Sequence, residues 1–289
     1  MNKFFNIFTF IFSLLLVISC EPGRAENGDL LFGVDGNGGN NGTGGTTTTK
    51  LLAKVTAPED VSGGSYDINY SYTGNQLTGV TTSNNSFSEV ISYTGSNISK
   101  IVRIKDDNGQ KLTITNDFVY TGIVLSKIDQ KTETGGQIAM RQTTTFTYDV
   151  AGNVAKAVTK ITDAETPPTL LFTITSDFGF VGGNLSKWDF TLETEPMPPI
   201  TIPPIILNSV LSNYDSAKSA YNTLPKSYCL YAVHEDTDTM GIYGLSKNNV
   251  RTFNVSGQIQ QITYQYDADN YPTSMTSDGQ TVKFEYKIP

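Results

Sequence analysis

From Ser65 onward the chain repeats one unit: an aromatic residue, a turn rich in Gly and Asn, and an aliphatic residue that opens the next run. Tyr72-Thr73-Gly74-Asn75-Gln76-Leu77 returns as Tyr93-Thr94-Gly95-Ser96-Asn97-Ile98 and as Tyr120-Thr121-Gly122-Ile123-Val124-Leu125. It recurs at Tyr148-Asp149-Val150-Ala151-Gly152-Asn153-Val154, at Phe180–Leu185, and later at Phe253–Ile259 and Tyr266–Tyr271. The flanking runs alternate. Tyr66, Ile68, Tyr70 and Tyr72 share one face while Asp67, Asn69 and Ser71 take the other; Val282, Phe284 and Tyr286 likewise oppose Thr281, Lys283, Glu285 and Lys287. A period of two in Tyr-, Thr- and Val-rich runs marks half-buried antiparallel strands. Gly and Asn recur at the turns because tight hairpins need positive φ. The expected fold is all-β: an antiparallel up-and-down meander of repeated hairpins, curled into a barrel-like sheet. Ile98 and Ile101, like Leu125 and Ile128, are three apart, so a bulge after each turn is needed to keep both on one face.

Residues 195–231 interrupt the repeat. Pro196, Pro198, Pro199, Pro203 and Pro204 forbid a central strand. Leu207, Val210, Leu211, Tyr214 and Tyr221 then fall near helical spacing, which predicts one helical insert at 205–222, ended before Pro225. Such a helix would cover the apolar face of the curled sheet or plug its mouth. Tyr228–Val233 reads as a further strand, with Cys229 a buried, inert thiol.

The N-terminus carries an address. Met1-Asn2-Lys3 is a short basic start, Phe4–Ile18 is mostly apolar, and Ser19-Cys20 closes the run. The run is short of the roughly 20 residues that span a bilayer. Val17-Ile18-Ser19-Cys20 resembles a bacterial lipoprotein signal. The resemblance implies cleavage before Cys20, acylation of Cys20 and, with Glu21 following it, export to the outer membrane. Lipid would consume Cys20 and leave Cys229 unpaired. Gly36–Thr49 holds no apolar residue and cannot build a core. As a Gly-rich coil, residues 20–50 would span roughly 30 Å. The expected organisation is a signal peptide at 1–19, a flexible tether at 20–50 and one β domain at 51–289.

Tyr148–Asn153 has the Tyr-Asp-x-x-Gly-Asn form and resembles a YD or RHS-type repeat. Ser246–Val250, followed by Tyr264–Pro272 and Thr281–Tyr286, resembles a domain-of-unknown-function family of Gram-negative lipoproteins described as having a porin-like fold. That resemblance runs from about residue 65 to 288. It implies a curled antiparallel architecture and no activity, cofactor or catalytic residue. Asn270 stands where the family turn has Gly, a position Asn tolerates.

The chain has 289 residues, a formal charge of −8 and one histidine. The acidic balance argues against a nucleic-acid partner, which needs clustered Lys and Arg. A single imidazole excludes a two-histidine zinc helix. No nucleophile elbow, P-loop, dinucleotide fingerprint or C-x-x-C is present. His234-Glu235-Asp236-Thr237-Asp238 is the one dense polar constellation. It reads as a catalytic His with carboxylates, as a Ca²⁺ site built from Glu235, Asp236 and Asp238, or as a solvated loop. Its Asp- and Thr-rich composition favours the loop, so no metal and no cofactor are expected. Trp188 reads as a ligand platform or a packed residue, and the rows of Tyr read as core before sugar-stacking surface. The expected protein is a lipid-anchored outer-membrane protein with a non-catalytic β domain that binds or scaffolds a glycan or an envelope protein. The alternative is a carboxylate-based glycan hydrolase, recognisable by a groove with two convergent carboxylates. A membrane-spanning barrel shares the alternation.

Overall fold

The structure is a computed structural model that describes residues 50–58, 64–107, 109–196, 202–235 and 240–289. The expected signal peptide, Cys20 and the expected tether up to residue 49 lie outside the described residues. The strands are β1 (Leu51–Pro58), β2 (Ser65–Thr73), β3 (Gln76–Thr82), β4 (Phe87–Thr94), β5 (Asn97–Asp107), β6 (Gln110–Thr121), β7 (Val124–Thr134) and β8 (Gln137–Tyr148). They continue as β9 (Val154–Asp163), β10 (Leu170–Val181), β11 (Asn184–Thr194), β12 (Ile205–Ser212), β13 (Thr252–Val255), β14 (Gln258–Tyr266), β15 (Pro272–Ser277) and β16 (Gln280–Lys287). Each pairs antiparallel with its sequence neighbours, and β16 returns to β1, so the meander closes into a sixteen-stranded barrel.

The repeats set the curvature. Tyr93 faces Ile98 while Ser92 faces Lys100, leaving Ser99 as the extra residue. Tyr120/Leu125 and Phe180/Leu185 do the same around Ser126 and Ser186. The bulged hydroxyls satisfy the disturbed ladder: Ser126 and Ser186 each donate to a carbonyl across the bulge, of Val119 and Gly179, at 3.0 Å. The aromatic anchors stitch neighbouring strands. Tyr72 donates to the Leu52 carbonyl at 2.8 Å and Tyr148 to that of Leu125 at 2.7 Å. Gly74, Gly95 and Gly122 adopt φ between 56° and 64° at the repeat turns, and Asn270 adopts 61°. These turns and Lys50 define one end of the barrel, here the repeat-turn end; the connections after β1, β3, β5, β7 and β9 define the far end.

The helical insert is displaced from its expected place. Ile205–Ser212 is β12, not a helix: Ile205, Leu207, Ser209 and Leu211 turn inward while Ile206 and Val210 are exposed. Leu207, Val210 and Leu211 fit both periods over so short a run, and pairing with β11 and β13 decides for the strand. The helical part follows, between β12 and β13. It holds a 3₁₀ turn at Ala220–Thr223, helix α1 (Lys226–His234) and helix α2 (Met240–Tyr243). The expected strand at Tyr228–Val233 is therefore α1, an apolar run whose period could not be read because it is buried all round. Tyr228, Cys229, Leu230, Tyr231 and Ala232 are buried together.

These helices sit in the lumen and touch the wall on many sides. Tyr221 packs edge-on against Phe284 of β16 at 5.7 Å and Tyr243 against Phe253 of β13, and Tyr231 lies tilted against Phe118 of β6. Thr223 accepts from the Leu52 amide at 2.9 Å. Helix α1 and the end of α2 meet through glycine: a Cβ at Gly244 would lie 2.2 Å from the Cys229 sulfur. Burial pushes that thiol up to about 11, so Cys229 packs as an inert residue. Phe284 is 5% exposed. Phe284→Ala should cost about 3–5 kcal/mol in urea unfolding, as for other buried aromatics; a loss under roughly 1 kcal/mol would show that the plug does not seal against β16.

Candidate functional site

The insert enters at the repeat-turn end, where Asp215 clasps its two ends. The Asp215 amide donates to the Asn249 carbonyl at 3.0 Å, and its carboxylate accepts from the Asn249 amide and from the Tyr266 hydroxyl. Lys50 closes the same end through 2.7 Å ion pairs to Asp267 and Asp269. From there α1 runs into the lumen, and its last turn meets polar residues of the wall.

Those wall residues form a belt on an otherwise apolar inner face. Inward positions at mid-wall carry Glu89 on β4, Arg103 on β5, Asn116 on β6, Gln130 on β7, Thr144 on β8, Thr159 on β9, Ser176 on β10 and Ser209 on β12, all buried. Glu89 faces Arg103, Asn116 faces Gln130, and Thr144 faces Thr159. On β11 the position beside Ser209 holds Trp188.

Helix α1 docks onto this belt. Glu89 accepts from the Tyr228 and Tyr231 hydroxyls at 2.8 and 2.9 Å and pairs with Arg103 Nε at 3.2 Å. Arg103 Nη1 also reaches Glu235 at 3.4 Å, and Gln130 donates to the other Glu235 oxygen. The Arg103 guanidinium lies 4.0 Å from the Phe87 ring centroid. Burial first, and then neighbouring carboxylates, hold the Tyr228 and Tyr231 phenols well above their ordinary pKa, so both stay protonated donors. The side chains of Glu89, Arg103 and Glu235 are 1%, 6% and 8% exposed.

The polar constellation expected at 234–238 is divided by the structure. His234 and Glu235 end a helix rather than a strand, and neither is the solvated loop residue its sequence context favours. Asp236 and Asp238 lie outside the described residues. His234 Nδ1 stands 3.5 Å from the Thr159 hydroxyl, its ring packs edge-on to Phe146, and Nε2 is sealed from solvent without a protein partner. Burial pulls its pKa down to about 4, which keeps the ring neutral at ordinary pH. Trp188 is half-buried on the inward face, 6.2 Å from Phe190. Among the described residues no group of three His, Cys, Asp or Glu could hold a metal ion.

Glu89 and Glu235 do converge, but on a guanidinium that occupies the space between them. Sequence reasoning passed over Glu89, Arg103 and Gln130. The signal was present in the alternation, which puts Glu89 on the face of Phe87, Ile91 and Tyr93, and Arg103 on that of Ile101.

One sector of the far half of the lumen, on β8–β12, differs in packing, although Leu192 within it is buried, as are Leu112 and Ile114 on β6. The inward residues Met140, Ile161, Phe172, Ile174, Phe190 and Leu207 are half-buried rather than buried. An inward side chain of a closed barrel keeps accessible surface only where the lumen leaves room beside it. The outer wall is charged at mid-height: Lys54–Glu285 at 2.5 Å, Lys100–Asp117 at 3.2 Å, Lys127–Asp129 at 2.5 Å and Lys156–Asp177 at 3.3 Å. This reverses the apolar-out, polar-in wall of a membrane-spanning barrel.

No protein-family model matches the chain, and no curated protein matches it. Among solved structures, a porin-like protein from Bacteroides vulgatus is similar at a TM-score of 0.52 and 10% identity, covering 83% of this chain and 99% of that one. A porin-like protein from Bacteroides uniformis aligns at a TM-score of 0.44 and 14% identity, over 84% and 98% of the two chains. The first likeness is one of fold: the chain is a porin-like, closed antiparallel barrel, here filled by its own helices.

Two outcomes follow for the belt. Arg103→Met leaves two carboxylates buried without their cation and should destabilise by about 3–5 kcal/mol in denaturant unfolding. For His234, the unfolded chain takes up a proton near pH 6.5 that the folded ring refuses until about pH 4. The unfolded state thus binds more protons across that window, and stability falls as pH drops through it. Between pH 7 and 4 the wild type should lose roughly 3 kcal/mol more than His234→Asn; parallel pH profiles would contradict the buried, neutral ring.

Proposed function

We propose that the chain is a lipid-anchored cell-envelope protein whose barrel is a non-catalytic binding module, with the ligand site in the open half of the lumen. The observation that carries this reading is the inverted barrel. Its outer wall bears ion pairs at mid-height, where a lipid-facing wall would bury charge at a cost of about 2–4 kcal/mol for each Lys or Arg. Its inner face is apolar apart from the belt, closed by the plug at one end and half-buried on β8–β12 toward the other. A wall of that kind faces water, and the protein then reaches the membrane through Cys20 and the Gly-rich segment. Lys50 lies at the plugged end, so the tether would turn the open half away from the bilayer.

The hydrolase alternative finds no support in the convergent carboxylates. A glycosidic bond must enter between the two groups together with water. Here Arg103 stands between Glu89 and Glu235, and all three are sealed. A scaffolding role is favoured by one feature of the outer wall. Ile206, Val210 and Ile259 are 54%, 52% and 61% exposed, and Val210 and Ile259 both pair with Asn254 from opposite sides. An envelope protein could pack there.

Two measurements test the reading. Cys20→Ala should release the protein from membranes after carbonate washing, because stable anchoring takes more than one acyl signal; equal retention of both forms would remove the anchor. Acrylamide should quench the emission of Trp188, the chain's single tryptophan. A folded protein whose Trp188 emission acrylamide leaves unquenched, while the urea-unfolded chain is quenched, would mean that the lumen is full and holds no site.

A further inference from the structure

The rim at the repeat-turn end carries side chains that its hairpins do not need. The large apolar residues exposed there include Ile123 and Val150, in the turns after β6 and β8, Val181 at the close of β10, and Ile288 after β16. Tight turns favour Gly, Asn, Asp and Ser, so Ile123 and Val150 do nothing for their turns. Val150 is fully exposed. The first three are neighbours. Continuing the β7–β8 register past Lys127 and Thr145 brings Ile123 level with the β8–β9 turn. Continuing the β9–β10 register past Lys156 and Asp177 brings Val181 level with the same turn. Successive hairpins are two strands apart, so these tips stand about 10 Å from one another. Among the described residues the far-end connections expose no large apolar side chain.

Charge separates the two ends in the same sense. Lys247 is exposed beside the Val181 turn, its amide donating to the Gly183 carbonyl at 3.1 Å. Lys218 and Lys287 lie over the Tyr271 and Tyr72 rings at 4.6 and 4.7 Å, and Arg251 is exposed. The carboxylates of this end are turned to local partners. Asp149 accepts from the Ala151 and Asn153 amides of its own turn, Asp267 and Asp269 pair with Lys50, and Asp215 clasps the insert. The far-end connections carry Glu165, Glu195 and Asp278 and neither Lys nor Arg. A chain of formal charge −8 therefore meets an anionic surface by its repeat-turn end. Lys50, where residues 1–49 join the barrel, is on this rim as well. Buried apolar area and attraction of cations to anionic lipid together set how firmly a protein lies in a bilayer interface. We propose that the repeat-turn rim docks on an anionic phospholipid bilayer, with Ile123, Val150 and Val181 among the headgroups and Lys218, Lys247 and Arg251 at the phosphates. This deepens the lipid-anchored reading above and rests on it for the orientation of the barrel.

Two assays test the docking. In the first, the full chain carrying Cys20→Ala is sedimented at low salt with vesicles of phosphatidylethanolamine and phosphatidylglycerol. It should partition onto them, and Ile123→Asp with Val150→Asp should lower that partition at least roughly tenfold. Ile206→Asp with Ile259→Asp, the same change of charge on the outer wall, should leave it unchanged; equal losses from the two pairs would overturn the assignment to the rim. In the second, the acylated chain is reconstituted in the same vesicles with an environment-sensitive label at Val150→Cys or at Asp278→Cys, Cys229 being sealed in the core. Lipid spin-labelled near its headgroup should quench the label at position 150 and not the one at position 278. Blue-shifted emission at position 150 that the lipid quencher leaves untouched would place a protein on the rim, a second copy or another partner, and would overturn the bilayer. If the acylated chain floats with the vesicles but position 150 is not quenched and the Cys20→Ala chain does not bind, the docking is wrong and the anchor stands. If the acylated chain does not float, the anchor reading falls and the partition assay alone decides the docking.

Discussion

A ring of sixteen strands is too wide for its own side chains to fill. Eight strands leave an interior that side chains just occupy, whereas sixteen to eighteen enclose an aqueous channel. A porin accepts the water because its inner face is polar. Here the inner face is Ile, Leu, Val, Tyr and Phe, and water in the lumen would undo the hydrophobic gain that closes the sheet. The segment between β12 and β13 resolves this conflict. It brings a helix of roughly 10–12 Å diameter into the lumen, and that helix is buried on every side. Barrel and plug are thus one core: Tyr221, Leu230, Tyr231 and Tyr243 belong to the same packed cluster as Leu52, Ile68, Ile101 and Phe284.

Apolar packing alone would let a helix of this kind slide or turn. The belt gives it an address. Tyr228, Tyr231 and Glu235 meet Glu89, Arg103 and Gln130 from three different strands. Removing one partner strands a charge in a dry interior, so depth and rotation are fixed together. The belt also marks where the plug stops. On its repeat-turn side the lumen is packed; on its far side the wall of β8–β12 is half-buried, and four buried polar atoms at the belt, on Asn116, Trp188, Ser209 and His234, have no protein partner. The device that positions the plug therefore also makes the floor of the open half.

Much of the wall was legible because each local rule agreed with the others. The aromatic–Gly–aliphatic repeats gave hairpins, the three-residue spacing of Ile98 and Ile101 gave bulges, and both are present. The closure of β1 onto β16 was not legible, since it joins residues more than 200 positions apart and depends on strand number and tilt. The insert was read at the wrong place for a definite reason. Eight residues with apolar positions at 207, 210 and 211 match both periods, and only their pairing with Trp188 and Phe253 neighbours chooses the strand. Tyr228–Val233 was misread because an all-round buried helix shows no amphipathic period. The belt was half legible: a Glu or Arg on an apolar face is visible in the alternation, but its partners come from elements far away in sequence.

The inverted polarity of the wall, the plug and the belt make one claim: the helix is part of the barrel's folding unit and not a loop resting in its mouth. Amide hydrogen exchange of the α1 segment, read by mass spectrometry, tests this most directly, because exchange separates regions that open on their own from those that open only with the whole. The account predicts that Lys226–His234 exchanges as slowly as the central strands β5–β7, with the same dependence on denaturant. Exchange of that segment at low denaturant, while the strands stay protected, would show a barrel that stands without its plug and would contradict the account.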